Sequence, residues 1–353
     1  MLAARLHSLG DPSGIVVEEV PDPREPVGDE LLVQVAASSI NGTDLLLRRG
    51  EPRIATAGRL PLVLGFDVAG EVLRCGPAVT AFAPGDRVVS LLGHGGGAHA
   101  ERVLLRQGRA ARAPAWVSLE VAGALPLAGL TALQALHGRA ALDARPGARV
   151  LVVGASGGIG AFAVLLAKLA GAHVTALTST AAVPFVTGLG ADEVLDRHRE
   201  DPFAGGERWD VVVDTPAVLR FGAVRGSLRD GGVLVSTKPL SLDAARSAGL
   251  DLLRRPGRRI ARRGGGSGAR FATVRTQARS QDLTRLVALV DGGRLRVPVD
   301  RAFPLAQVAE AHRWAQTRAT GKVVLTLPSD QDGQDGQGAE TAQGGQDAQQ
   351  ARG

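Results

Sequence analysis

The sequence predicts an α/β protein in two parts, a β-rich region followed by a doubly wound parallel sheet. Three observations carry this expectation. The chain from Gly14 to Leu92 breaks into short alternating or apolar runs punctuated by Gly and Pro, as the strands of a small barrel require. From Leu119 it becomes Ala/Leu-rich with helical periodicity, and apolar strand-length runs then alternate with helix-length segments, the pattern of a buried parallel sheet. Within that second part, RVLVVGASGGIGAFAVLLAKLAGAHVTAL (Arg149 to Leu177) runs strand, glycine turn, helix, strand, which is one βαβ unit.

In chain order, GIVVEEV, ELLVQVAAS, GFDVAGEVLRCG and PGDRVVSLL read as strands. The glycines from Gly93 to Gly97, interrupted by His94, read as a turn before AHAERVLL. LEVAGALPLAGLTALQALHGRAAL reads as helix and leads into the βαβ unit. PFVTGLGADEVLD, WDVVVDT and FGAVRGSLRDGGVLVST continue the alternation. After Phe271 come a strand, a helix (SQDLTRLVALVDGG), a strand near VPVDRAF, a helix (LAQVAEAHRWAQ) and a last strand, KVVLTL. Beyond Leu327 the chain repeats Gln, Asp and Gly with no large apolar residue, so burial cannot offset ordering entropy and a disordered tail is expected.

The glycine turn suits a pyrophosphate. Gly157 lets backbone approach the phosphates, and Gly160 lets helix pack on strand. Ala155, preceded by Gly154, stands at the usual first glycine, and Ser156, Gly158 and Ile159 complete the turn. The amides opening the helix near Gly158 present partial positive charge to an anion. The competing reading is a flavodoxin-like or purely structural βα turn; the strand–turn–helix context favours a dinucleotide.

With 353 residues the chain has room for two domains. No run of eighteen or so apolar residues escapes charge or glycine, so a membrane span is not expected. MLAARLHSLGDPSG holds no apolar core of signal-peptide length, which predicts a cytoplasmic protein. Cys75 is the single cysteine, which excludes an internal disulfide and any multi-cysteine zinc site. The net charge of +6 raises the question of nucleic acid, but Lys168, Lys238 and Lys322 are the only lysines among 41 basic residues. That arginine bias, with abundant Ala and Gly and no Tyr, reads as codon usage. The one dense run, Arg254 to Arg263, lacks aromatics for base stacking and reads as a solvated turn, so no nucleic-acid partner is expected.

SSINGTDLLLRRG, LPLVLGFDVAGEV, VTAFAPGDRV, GGAHAERVLL, PLAGLTALQAL, GASGGIGAFAVLLAK, LGADEVLD, FPLAQVAEAH and ATGKVVL occur in register from His7 to Leu327. On these segments the chain resembles the medium-chain dehydrogenase/reductases, in the zinc-independent, quinone-oxidoreductase-like (zeta-crystallin-like) branch. The resemblance implies a GroES-like catalytic domain over residues 1–122 and a Rossmann domain over 123–296. Residues 297–327 would return to the catalytic domain, ahead of the tail at 328–353. Metal-dependent relatives place a cysteine where Asn41 stands and a histidine where Phe66 stands; neither residue here suits zinc, and no metal is expected. His94 and His99, beside glycines, read as a turn residue and a half-buried imidazole rather than a ligand pair.

An acid at the end of the second strand of the unit would bind the ribose hydroxyls of NAD. Here HVTAL ends in Thr178-Ser179-Thr180 without a carboxylate, and Ser179 is placed to donate to a 2′-phosphate. Relatives often follow with a lysine, whereas this chain has AAVPF. Arg197, after VLD, reads either as the phosphate partner that compensates or as part of an exposed turn with His198 and Arg199. NADPH is the expected cofactor. Thr215, closing WDVVVDT, is counted with the cofactor-binding residues.

Hydride transfer to an enone or quinone leaves an enolate-like oxygen, which donors or water must meet in the absence of zinc. The resemblance sets Asn41 beside the nicotinamide as the best donor, the alternative being a turn residue before Gly42. It sets Thr131 at a helix start facing the nicotinamide, against a capping or packing role. Arg318 and Lys322 fall near the cofactor, or else are surface charges before the last strand. Asp44 reads as a structural cap. His99 stands where a tyrosine is frequent, a candidate proton donor with solvent as the default. These readings converge on an NADPH-dependent, metal-free reductase of a quinone or α,β-unsaturated carbonyl, with a homodimer as an option. The alternatives are an enoyl reductase of a polyketide-type pathway, or a catalytically weak NADPH-binding structural or regulatory protein.

Overall fold

The computed structural model describes residues 1–51, 58–93, 95–206, 208–237 and 268–328. His94, Lys238, the Arg254–Arg263 run and the tail after Pro328 lie outside the described residues.

The first part contains β1 (Leu2–Leu6), β2 (Ile15–Glu19), β3 (Glu30–Ile40), α1 (Gly42–Arg49), β4 (Leu62–Val63), β5 (Asp67–Cys75), β6 (Arg87–Leu91), β7 (Arg102–Arg106) and β8 (Ala110–Arg112). Helices α2 (Leu119–Ala122) and α3 (Pro126–Leu133) follow. The second part runs β9 (Arg149–Val153), α4 (Gly158–Leu169), β10 (His173–Thr178), α5 (Val183–Thr187), β11 (Glu193–Asp196), β12 (Trp209–Asp214), α6 (Phe221–Val224), β13 (Leu228–Ser236), β14 (Arg270–Thr273) and α7 (Ser280–Asp291). The chain closes with β15 (Val299–Pro304), α8 (Val308–Thr317) and β16 (Lys322–Thr326).

Strands β9 to β14 form a parallel sheet in the order β11-β10-β9-β12-β13-β14. Its strands are apolar on both faces because helices cover both, so Val150, Leu151, Val152, Val211, Val212 and Val213 are all buried. The order reverses between β9 and β12, where doubly wound sheets leave a ligand crevice at the carboxyl ends of the strands.

The other large sheet has the order β15-β16-β3-β5-β6-β8, with β7 also paired to β3. The last strand of the chain, β16, therefore lies antiparallel to β3 in the amino-terminal region, Val324 opposite Ser39. A small sheet, β2-β1-β4, completes that region. Its strand β1 does not stand out in the sequence: LAARL lacks β-branched residues, and Ala3, Ala4 and Leu6 become strand-like through burial rather than propensity.

Candidate active site

Gly154, at φ +76°, turns the chain out of β9, a left-handed conformation that favours glycine. Gly157 then caps α4, which Gly158 opens. At Gly160 a side chain is impossible: a Cβ would fall 2.1 Å from the Gly154 carbonyl oxygen. Ala155 is buried behind the turn, while Ser156, Gly158 and Ile159 are partly exposed on it. Thr215, at the end of β12 across the crevice, donates its hydroxyl to the Val153 carbonyl at 2.8 Å and lies beside that of Gly154. The turn thus has a rigid floor and an open row of amides at a helix N-terminus, a cradle that fits the diphosphate of a dinucleotide.

Ser179 follows β10 and Arg197 follows β11, and the Arg197 amide donates to the Thr178 carbonyl at 2.8 Å. The two candidate 2′-phosphate residues therefore sit at the ends of adjacent strands, with Arg197 exposed. The structure also brings a carboxylate here that reading along β10 alone misses. Asp196 accepts from the Thr180 hydroxyl at 2.7 Å and from the His198 amide at 3.0 Å, and pairs with Arg199 at 3.6 Å. These bonds, the His198 amide first, hold its carboxyl below the ordinary range. Its oxygens are engaged in the turn rather than offered to a ribose.

The amino-terminal region contributes a buried polar cluster. Asn41, the last residue before α1, directs its amide nitrogen to the Asp67 carboxylate at 2.9 Å and the Ser39 carbonyl at 3.2 Å. Its amide oxygen accepts from the Lys322 ammonium at 2.5 Å. Carboxylate and carbonyl demand the donor end of the amide and the ammonium demands the acceptor end, so the neighbours fix its orientation. Asp67 is fully buried and also accepts from the Ser39 hydroxyl and, at 2.6 Å, from the Leu127 amide at the start of α3. Lys322 donates further to the Ile40 carbonyl at 3.3 Å and to Asp67 at 3.4 Å. Burial lowers the pKa of its ammonium, opposed by the Asp67 and Asp44 carboxylates.

Asp44 is the cap that the sequence suggests: its carboxylate accepts from the backbone N–H of Asn41 at 2.9 Å and from that of Gly65 at 2.8 Å. Burial raises its pKa to about 6. His99 is packed against Gly65, wholly enclosed rather than half-buried, with neither ring nitrogen hydrogen-bonded. Its ring meets His312 of α8 edge-on, centroids 6.2 Å apart, and burial lowers their pKa values to about 4 and about 3.

The two regions share a packed core that joins Val89, Leu91 and Ala111 to Leu283 and Leu286, and they also meet beside the phosphate turn. The Gly321 amide donates to the Ser156 carbonyl at 2.7 Å, and Gly157 and Gly321 form a parallel bridge. Lys322 follows directly, its stem lying against Gly158, where a Cβ would sit 2.7 Å from the lysine Cδ. One side chain therefore reaches from the phosphate turn to Asn41. Thr131 and Arg318 are not drawn into this cluster. The Thr131 hydroxyl bonds its own helix at Leu127 and the Thr276 hydroxyl, both at 2.6 Å. Arg318 is exposed, its guanidinium 5.7 Å from the Trp314 ring centre. Asp67, Ser39 and His312 are the participants that sequence reasoning missed; an acid inside the apolar run LGFDVAGEV was the available signal.

Phe66 offers no donor, and a buried ammonium already occupies the amide oxygen of Asn41, where a second cation would be repelled. Among the described residues no three His, Cys, Asp or Glu side chains converge. No helix of the described residues is long and apolar enough to cross a membrane.

A doubly wound sheet with a phosphate turn, joined to a β-rich region that takes up the last strand of the chain, is the architecture of a two-part dinucleotide-binding protein. Comparison with known proteins specifies it. Residues 28–115 match the alcohol dehydrogenase GroES-like domain, and residues 189–325 match the family described as zinc-binding dehydrogenase. The chain is 32% identical over 342 residues to the chloroplast envelope quinone oxidoreductase homolog of Arabidopsis thaliana, covering 92% of this chain and 99% of that protein. It is 30% identical to the mouse mitochondrial NAD(P)H oxidoreductase RTN4IP1, over 85% of this chain and 82% of that one. The solved quinone oxidoreductase of Coxiella burnetii superposes with a TM-score of 0.82 at 27% identity, over 93% of this chain and 99% of that one. The chain belongs to the medium-chain dehydrogenase/reductases, in their quinone-oxidoreductase-like branch, a family that binds nicotinamide cofactors.

Proposed function

We propose that this protein is a metal-free, NADPH-dependent reductase acting on a quinone or an α,β-unsaturated carbonyl compound in the crevice between its two regions. The observation that carries this reading is the junction at Gly321 and Lys322, which brings the phosphate turn within one side chain of Asn41. The cofactor, when bound, supplies hydride; the protein binds it, orients it and handles charge.

The amides from Ala155 to Gly160 hold the diphosphate, and Thr215 props the turn from behind. Ser179 and Arg197 hold the 2′-phosphate, with Asp196 kept out of the pocket by its own hydrogen bonds. Asn41 marks the nicotinamide end and is positioned by Asp67 and Lys322. Thr131 and His99 act on the site through their neighbours, Thr131 by fixing α3 below the Leu127–Asp67 bond and His99 by filling the space behind Gly65. Arg318 flanks the entrance. The amino-terminal catalytic region, the nucleotide-binding region from residue 123 to 296 and the return at 297–327 are read as one working unit. A homodimer and a cytoplasmic location belong to the same proposal.

The test is cofactor oxidation by purified protein across quinone and enone acceptors, with NADPH and NADH compared and a zinc chelator added. Turnover with NADPH ahead of NADH, unaffected by the chelator, is expected. Tight NADPH binding without turnover on any acceptor would transfer the protein to the weakly catalytic binding class.

A further inference from the structure

Reduction of an enone or a quinone needs one proton for each hydride, and the cluster limits where that proton can come from. Asn41 has no hydrogen to give, because both on its amide nitrogen are donated to Asp67 and Ser39. Asp44 and Asp67 act as acceptors throughout, taking backbone amides, a hydroxyl and the ammonium. His99 and His312 are neutral near pH 7, since burial holds their pKa values at about 4 and about 3. Lys322 is different. Two of its three donated bonds are long, at 3.3 Å and 3.4 Å, and redirecting either hydrogen sacrifices little. Its stem lies on Gly158 and its nitrogen beside Asn41, so a dinucleotide laid from the turn toward Asn41 runs along it.

On the reductase reading given above, we propose that Lys322 is the acid of the reaction and that Asp67 is the residue that positions it. As hydride bonds to the β-carbon of an enone, the π electrons shift onto the carbonyl oxygen. That oxygen takes a proton from Nζ: one N–H bond breaks, one O–H bond forms, and the lysine becomes a neutral amine beside Asn41. The enol becomes the ketone by exchange with water, and water returns a proton to the amine. With a quinone the same proton completes the hydroquinone. The downward shift that burial imposes on Lys322 works in this direction, because an acid nearer to the working pH gives up its proton more readily.

The test pairs kinetics with a measurement that needs no turnover. Lys322→Met is expected to lower kcat by about 100-fold or more while leaving the NADPH dissociation constant within about threefold. Lys322→Arg keeps the charge but cannot release a proton near neutrality, and it should be equally slow. Restored turnover in Lys322→Arg would overturn the acid role, as would a Met variant that loses NADPH affinity but keeps kcat. The chain has three lysines, so 15N-labelled Nζ signals are separable in the intact protein. The Lys322 signal should titrate below the ordinary lysine range and shift when NADPH is added. An ordinary titration unmoved by NADPH overturns the proposal even if the Met variant does not fold. If the wild-type protein reduces no acceptor, the reductase reading itself fails, whereas normal turnover by Lys322→Met removes only the lysine.

Discussion

Asp67 gathers hydrogen bonds from Ser39, Asn41, Lys322 and the first turn of α3 while wholly enclosed by protein. Its replacement by Leu leaves the Lys322 ammonium buried without a counter-charge, and we expect a loss of about 3–5 kcal/mol, read from the denaturant midpoint. Asp67→Asn keeps the hydrogen-bonding shape and should lose less. At the other end of the crevice, Arg197→Ala should raise KM for NADPH several-fold more than for NADH; equal effects on both cofactors would remove Arg197 from the phosphate pocket. The two residues were legible to different degrees. Arg197 is marked by its place after VLD, one strand over from Ser179. Asp67 gives only a polar interruption in an apolar run, because its partners come from residues 39, 41, 127 and 322 and meet only in the fold. Asn41 was visible as a position, but not as an amide already spoken for on both ends.

The glycine turn was the most legible element, since its function depends on backbone that approaches closely and the need for glycine is written in the sequence. Gly160→Val, at the tightest contact between α4 and β9, should displace the helix from the strand and abolish NADPH binding; calorimetric titration showing wild-type affinity would refute that account. The parallel strands were legible for a related reason, as a sheet covered on both faces leaves continuous Val and Leu runs. Strand β1 was not, because its pairing with β2 and β4 is decided by distant chain segments. The acid at the end of β11 was hidden similarly: Asp196 reaches the turn after β10 only because the two strands are neighbours in the sheet.

At the scale of the whole molecule, the buried side chains of His99, His312 and Asp44 couple stability to pH in the acid range. His99 and His312 are neutral when folded and protonate near 6.5 when unfolded, so their contribution is lost as pH falls below about 6.5. Asp44, raised to about 6, works in the opposite sense between about pH 6 and 4, where only the folded state holds its proton. Two protons taken up on unfolding against one released leaves a net uptake near pH 5, so these groups make stability fall with acid by roughly 1.4 kcal/mol per pH unit. His312→Leu should remove one of those protons and flatten the slope by about that amount, checked by denaturant melts between about pH 4.5 and 6.5. An unchanged slope would mean that the imidazole is already charged in the folded protein. The bridge between Gly157 and Gly321 has a consequence for descent as well as for chemistry. Because the strand that leaves the nucleotide turn is also the partner of β3, neither half is an exchangeable cassette. A graft that moved the nucleotide-binding sheet onto another scaffold would arrive without its lysine unless it carried β16 along, and carrying β16 would leave an open edge on β3 behind it.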